Sequence, residues 1–252
     1  MQKKEYLETI YAAYKNGRPL AKDIFPEEVT DLKAAYEVQH AFTALKEQGG
    51  EKLAGYKISM TSEGTQKFFN ASEPLYGQIT DKRVTRELVL ASTLDALIEL
   101  ELIFIAQEDL AASDSDEAIL RKIKVAPGLE IPDSRYKDWF PKMTKEHVCC
   151  DGAVGGWIAY GEPKTATYES LDKIGGILLH NGKELSQGTS DIVLGHPIVA
   201  VRWLLEKLQS HGLTVKKGMF ISSGTFVNPE KLAPGSYEGR FENFGSVILT
   251  VK

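Results

Sequence analysis

Apolar residues near the start of the chain recur at three- and four-residue spacing. Tyr6, Leu7, Ile10, Tyr11 and Tyr14 share one face of a predicted helix, and Gly17-Arg18-Pro19 ends it. A second helix is predicted after Thr30-Asp31, a capping pair that precedes Leu32, Ala35, Tyr36, Val38, Gln39 and Phe42, and it stops at Gly49-Gly50. From residue 55 the pattern turns to strands. Residues 55–61 form a short one, and a loop rich in turn formers closes at Gly77. Residues 94–106 are almost wholly apolar and predict a central strand. A helix over 114–122 and strands over 125–131 and 147–160 follow. Residues 177–187 predict a hairpin about Asn181-Gly182, and 197–211 an amphipathic helix. Strands over 219–223, 237–241 and 246–251 close the chain. Helices first and β-structure afterwards imply an α+β fold with a mixed or antiparallel sheet. The chain reads as a single domain over 1–252, with a helical part over 1–54 and a mixed β core over 55–252.

The central strand carries an anomaly. Alternation puts Leu97, Glu99, Glu101 and Ile103 on one face and Ile98, Leu100, Leu102 and Phe104 on the other. Two carboxylates therefore stand side by side among apolar neighbours, their α-carbons roughly 6.5–7 Å apart. Such a pair either meets solvent or shares a positive partner, because unpaired buried ions cost several kcal/mol each. A hard divalent cation is one such partner. Glu130, in an apolar stretch bounded by Pro127 and Pro132, is a third carboxylate of the same isolated kind. Lys57, between Tyr56 and Ile58, reads as a snorkelling surface lysine, a counter-charge to these glutamates or a proton carrier.

Charge narrows the function. A net charge of -5 without a basic stripe speaks against nucleic-acid binding. The first residues lack the apolar core of a signal peptide, and no run approaches the roughly 20 apolar residues of a membrane span. A cytoplasmic protein with neither membrane nor nucleic-acid partner is expected. Cys149 and Cys150 are the only cysteines and are adjacent, so no disulfide framework can form within the chain; two reduced thiols in a strand are expected.

Several motifs, in consistent order along nearly the whole chain, resemble those of the 2-keto-4-pentenoate hydratase / 2-oxohepta-3-ene-1,7-dioate hydratase / 4-oxalocrotonate decarboxylase family, within the fumarylacetoacetate hydrolase-like superfamily. Ala35-Tyr36-Glu37-Val38-Gln39 is similar to its N-terminal helix motif. Residues 55–62, Gly-Tyr-Lys-Ile-Ser-Met-Thr-Ser, resemble its Gly-x-Lys-Ile-Gly-Leu-Thr-Ser signature, and Glu73-Pro74-Leu75-Tyr76-Gly77 its Pro-Asp-Tyr-Gly turn. Glu99-Leu100-Glu101 and Leu129-Glu130-Ile131 match its metal strands. Leu194-Gly195-His196-Pro197 and Ser223-Gly224-Thr225-Phe226 match later segments.

The resemblance implies a mixed, rolled β-sheet core with peripheral helices, like the C-terminal domain of fumarylacetoacetate hydrolase, in a homo-oligomer. It implies Mg²⁺ or Mn²⁺ on Glu99, Glu101 and Glu130, Lys57 as acid/base, and Ser62, Thr225 and Asp151 along the substrate pocket, Asp151 being equally readable as structural. The implied activity is hydration of a small unsaturated 2-oxo acid, such as 2-hydroxypenta-2,4-dienoate, through a metal-stabilised enolate. Decarboxylation of an oxalocrotonate-like diacid is the alternative, and a non-catalytic small-acid binder a further one. A decarboxylase needs a cation or amide donors for a second carboxylate, and Arg83, Arg86, Arg135 and Arg202 are the candidates. Three departures stand out. Where the family has Asp-Asn-Ala-Ser-Asn, this chain has Asp151-Gly152-Ala153-Val154-Gly155; Leu75 replaces an aspartate; Ser59 and Met60 replace Gly and Leu. His196, before Pro197, reads as a helix cap.

Overall fold

The computed structural model describes residues 1–252, the side chain of Pro141 excepted. Two helices come first. α1 (Lys3–Asn16) ends at Gly17, whose left-handed backbone (φ 62°) lets its N–H return to Ala13 O. α2 (Leu32–Gln48) begins at Asp31, whose carboxylate accepts the Ala34 N–H at 2.8 Å. Tyr6, Ile10, Val38 and Phe42 carry their buried faces into the main core.

The remainder builds two sheets. The larger runs β2 (Leu75–Thr80), β1 (Leu53–Ser59), β9 (Phe220–Thr225), β4 (Leu97–Ala106), β5 (Ile123–Ile131) and β6 (Trp157–Tyr160), with the short β10 (Glu230–Lys231) also on β4. Its β1/β9 pair is parallel and its other pairs antiparallel, so the sheet is mixed. The smaller runs β3 (Glu87–Leu88), β12 (Gly245–Val251), β11 (Gly235–Phe241), β7 (Gly175–His180) and β8 (Lys183–Thr189). Around them lie α3 (Glu63–Phe68), α4 (Asp116–Lys122), α5 (Trp139–Lys142), α6 (Lys145–Cys150), α7 (Tyr168–Leu171) and α8 (Pro197–Ser210). This is the expected α+β arrangement.

The sheets pack through the apolar face of β4. Ile98, Leu100, Leu102 and Phe104 are all fully buried, each worth about 1.5–3 kcal/mol by leaving water. Close approach needs glycine opposite them. A Cβ on Gly176 of β7 would stand 2.6 Å from Leu100 Cδ2, and one on Gly239 of β11 2.8 Å from Leu100 Cδ1. The other face of β4 is left for the glutamates.

Three sequence expectations need correction. Residues 147–160 are not one strand: Thr144 caps α6 by accepting the His147 N–H, and β6 starts only at Trp157. Cys149 and Cys150 are therefore buried in a helix under α2, where Gln39 Nε2 donates to Cys149 O at 2.8 Å. The loop expected to close at Gly77 ends earlier, at Pro74, and Gly77 lies in the edge strand β2. Glycine is required there because Gly152 O would lie 1.9 Å from any Cβ. Finally, the central strand begins at Leu97, since the N–H groups of Leu94 and Asp95 turn aside to the Asp133 carboxylate. The Asn181-Gly182 turn has the expected positive φ at both residues (51° and 78°). His196 caps α8, its Nδ1 accepting the Ile198 N–H at 3.2 Å.

Candidate active site

Strand order β1–β9–β4–β5 sets the chemistry of the larger sheet. Lys57 on β1 is in register with Ser222 on β9. Across β9/β4, Ser222 faces Ile103 and Thr225 faces Glu101, with a bulge between them. Glu99 faces Glu130 across β4/β5. In a flat sheet β1 and β5 would stand three strand spacings apart, roughly 14 Å. Yet Lys57 Nζ lies 2.7 Å from Glu130 Oε1. The sheet is rolled, and this ion pair bridges its concave face.

Three carboxylates gather there. Glu99, Glu101 and Glu130 each offer an oxygen, all within 4.8 Å of one another. Glu101 is 1% exposed and Glu130 0%; Glu99 is half-buried at the edge of a cavity. Glu101 Oε2 accepts from Ser222 Oγ at 2.5 Å and from the Gly224 N–H at 3.0 Å, which fixes its rotamer. Glu130 accepts no well-formed hydrogen bond on either oxygen, so the Lys57 charge is its partner.

The electrostatics follow. Burial pushes the Glu99 carboxyl up to about 8, the negative charge of Glu130 adds to this, and Lys57 opposes it. Burial, then Glu130 and Glu99, hold Glu101 well above the ordinary carboxylate range. For Lys57, burial pulls the amine down, but Glu130, Glu99 and Glu101 together outweigh it and leave the pKa raised. One ammonium thus serves three carboxylates. An unshared oxygen on Glu130 and two carboxylates that resist ionising fit a site for a divalent cation, and all-oxygen donors suit a hard one.

A cavity of about 400 Å³ opens over Lys57, Glu99 and Glu101. Ser62 and Thr225 line it, but both hydroxyls are engaged: Ser62 Oγ accepts the Thr65 N–H to cap α3, while Thr225 Oγ1 donates to Val227 O. Asp151 does not line it. It is fully buried, its Oδ1 accepting from Arg135 Nε at 2.5 Å and its Oδ2 from Ser134 Oγ at 2.9 Å. Of its two expected readings, the structural one fits this placement and the pocket-lining one does not.

The buried Arg135–Asp151 pair holds a tight turn. Arg135 Nη1 donates to Gly155 O at 2.6 Å and Nη2 to Asp151 O. Between these anchors Gly152, Ala153 and Val154 all adopt left-handed backbone (φ 67°, 53° and 52°). A β-branched residue there is strained. The turn aims the Ala153 carbonyl at Lys57, whose Nζ donates to it at 3.1 Å, and sets Val154 on the cavity wall. The other three candidate arginines lie elsewhere: Arg83 covers the Tyr14 and Trp157 rings, Arg86 donates to Tyr160 O, and Arg202 pairs with Asp116. Sequence reading missed Ser222, the Gly224 N–H and the Ala153 carbonyl. Two of these are backbone groups and carry no residue-type signal.

The chain is similar to known proteins over nearly its whole length. The chain is 31% identical to 2-hydroxyhexa-2,4-dienoate hydratase of Comamonas testosteroni, over 96% of this chain and 94% of that one. It is 28% identical to 2-keto-4-pentenoate hydratase of Paraburkholderia xenovorans, over 98% and 93%. A solved structure of 4-oxalocrotonate decarboxylase from Pseudomonas putida G7, complexed with magnesium and adipate, superposes with a TM-score of 0.90 at 25% identity, covering 100% and 99% of the two chains. No protein-family model matches the chain. Whole-length likeness in sequence and fold places this chain in the 2-keto-4-pentenoate hydratase / 4-oxalocrotonate decarboxylase family.

Proposed function

We propose that the protein is a divalent-metal-dependent hydratase acting on a 2-hydroxydienoate or the tautomeric unsaturated 2-oxo acid. The observation that carries this reading is the convergence of Glu99, Glu101 and Glu130 with Lys57 at the end of one cavity. The three glutamates hold the cation, magnesium or manganese. When bound, it supplies Lewis acidity to the carboxylate and C2 oxygen of the acid. Lys57 is the proton carrier, its Nζ held between Glu130 and the Ala153 carbonyl and facing the cavity. It delivers a proton to the far carbon of the dienol and takes up the one that the C2 hydroxyl gives up, and so produces the conjugated ketone to which water adds. Ser222 and the Gly224 N–H keep Glu101 in place. The apolar walls exclude bulk water from the charged end.

Hydration is favoured over decarboxylation because the four candidate arginines are all engaged away from the cavity. The names of the two relatives support the same choice. The test is ultraviolet monitoring of 2-hydroxypenta-2,4-dienoate with Mg²⁺, with Mn²⁺ and with chelator. Cation-dependent loss of the dienoate is expected. Absence of turnover on this acid and its alkyl homologues, or equal turnover in chelator, overturns the proposal.

A further inference from the structure

The far walls of the cavity show what the acid's other end must be. Beyond Lys57, Glu99 and Glu101, the buried lining is mostly hydrocarbon: Met60, Trp139, Val148, Val154, Phe226 and Val227 are each no more than 8% exposed, and the Thr61 hydroxyl, 5% exposed, is the one buried polar side chain among them. The indole N–H of Trp139 is spent on Asp95 O. The amides of Gln187 and Asn228 also line the cavity, but both residues are exposed and so work in water. Among the described residues, Lys57 is the only cationic side chain on the lining. Charge adds a second argument. Three carboxylates and one ammonium leave two negative charges, which a divalent cation cancels. The substrate's own carboxylate then makes the site singly negative. A second carboxylate would double that charge against an apolar wall with no counter-ion.

Val154 is the telling residue. A valine at φ 52° is held against its backbone preference by the Arg135 clamp on either side of the turn. Asparagine would suit that conformation better. What valine alone brings is an isopropyl group on the wall, one residue from the carbonyl that holds Lys57.

We infer that this chain selects a monocarboxylic 2-oxo acid with a hydrocarbon far end, and that Val154 is a specificity-determining residue for that end. The inference rests on the proposed function and narrows its substrate class.

The experiment compares two saturated probes of equal carbon count, 2-oxohexanoate and 2-oxoadipate, by calorimetric titration of the Mg²⁺-loaded protein. They differ only in a terminal carboxylate. The monoacid is expected to bind at least 30-fold more tightly. Equal or tighter binding of the diacid overturns the inference while leaving the proposed function standing. Binding of neither probe at millimolar concentration sinks both. V154N is then expected to raise the melting temperature, because the strain is relieved, and to shrink the monoacid preference at least fivefold. An unchanged preference in a folded V154N protein removes Val154 from that role.

Discussion

Glu99 and Glu130 face each other directly across the β4/β5 ladder, and no cationic residue separates them on either strand. Like charges opposite one another destabilise a sheet pair, and here the cost is raised by burial. The arrangement is stable with Lys57 reaching over from β1, or with a cation between the carboxylates.

Replacing Glu101 by glutamine removes one oxygen anion from the triad while keeping the shape that meets Ser222 and Gly224. The Glu101→Gln protein is expected to fold, to lose the rise in melting temperature that Mg²⁺ gives the parent, and to lose activity. The loss should exceed the about 100-fold that removal of a merely supporting partner costs. Thermal scans with and without Mg²⁺ check this; an undiminished metal-induced shift would take Glu101 out of the site.

Lys57→Ala leaves Glu130 buried with no ammonium beside it. Without metal, the variant should be less stable by about 3–5 kcal/mol, the usual cost of breaking a buried pair. Turnover should fall by about 100-fold or more, whereas Mg²⁺ binding should persist. Near-parental turnover would show that the amine carries no proton in the reaction.

In the metal-free protein, stability should fall as pH rises. The Glu99 carboxyl is lifted from an ordinary 4.5 to about 8, so between those values the folded state binds more protons than the unfolded one. Its contribution is complete below about 4.5 and is lost as pH climbs through about 8. Saturating Mg²⁺ should reverse the trend over the same window, because binding requires the deprotonated form. Melting curves at several pH values measure both slopes. Identical slopes with and without Mg²⁺ would mean the cation does not engage Glu99.

Asp151→Asn tests the correction to that residue's role. Arg135 would keep its burial and lose its counter-ion, costing about 3–5 kcal/mol. At temperatures where the variant is folded, affinity for a 2-oxo acid should change little. Weakened binding in a protein of unaltered stability would instead place Asp151 against the substrate.

How much of this could be read from the chain depends on where the information sits. The glutamates were legible because strand alternation forces Glu99 and Glu101 onto one face, and an apolar neighbourhood makes a charge conspicuous. That Glu130 and Lys57 would meet them was legible only through family resemblance, since the roll of the sheet is a long-range property. α6 was misread because Val148-Cys149-Cys150 is as apolar as a strand; the helix is declared by Thr144 as cap and by packing under α2. β2 was hidden by Gly77, a turn former in composition but here a concession to the Gly152 carbonyl. The departure at Val154 was visible in the sequence. Its left-handed backbone and place on the cavity wall were not, because the buried Arg135–Asp151 clamp imposes them.

The central claim is that three side chains from two adjacent strands grip one hard ion beside Lys57. An anomalous difference map from a crystal soaked in Mn²⁺ tests it most directly. One strong peak within about 2.0–2.3 Å of an oxygen from each of Glu99, Glu101 and Glu130 is the expected result. A map with manganese bound elsewhere and none among these carboxylates would contradict it.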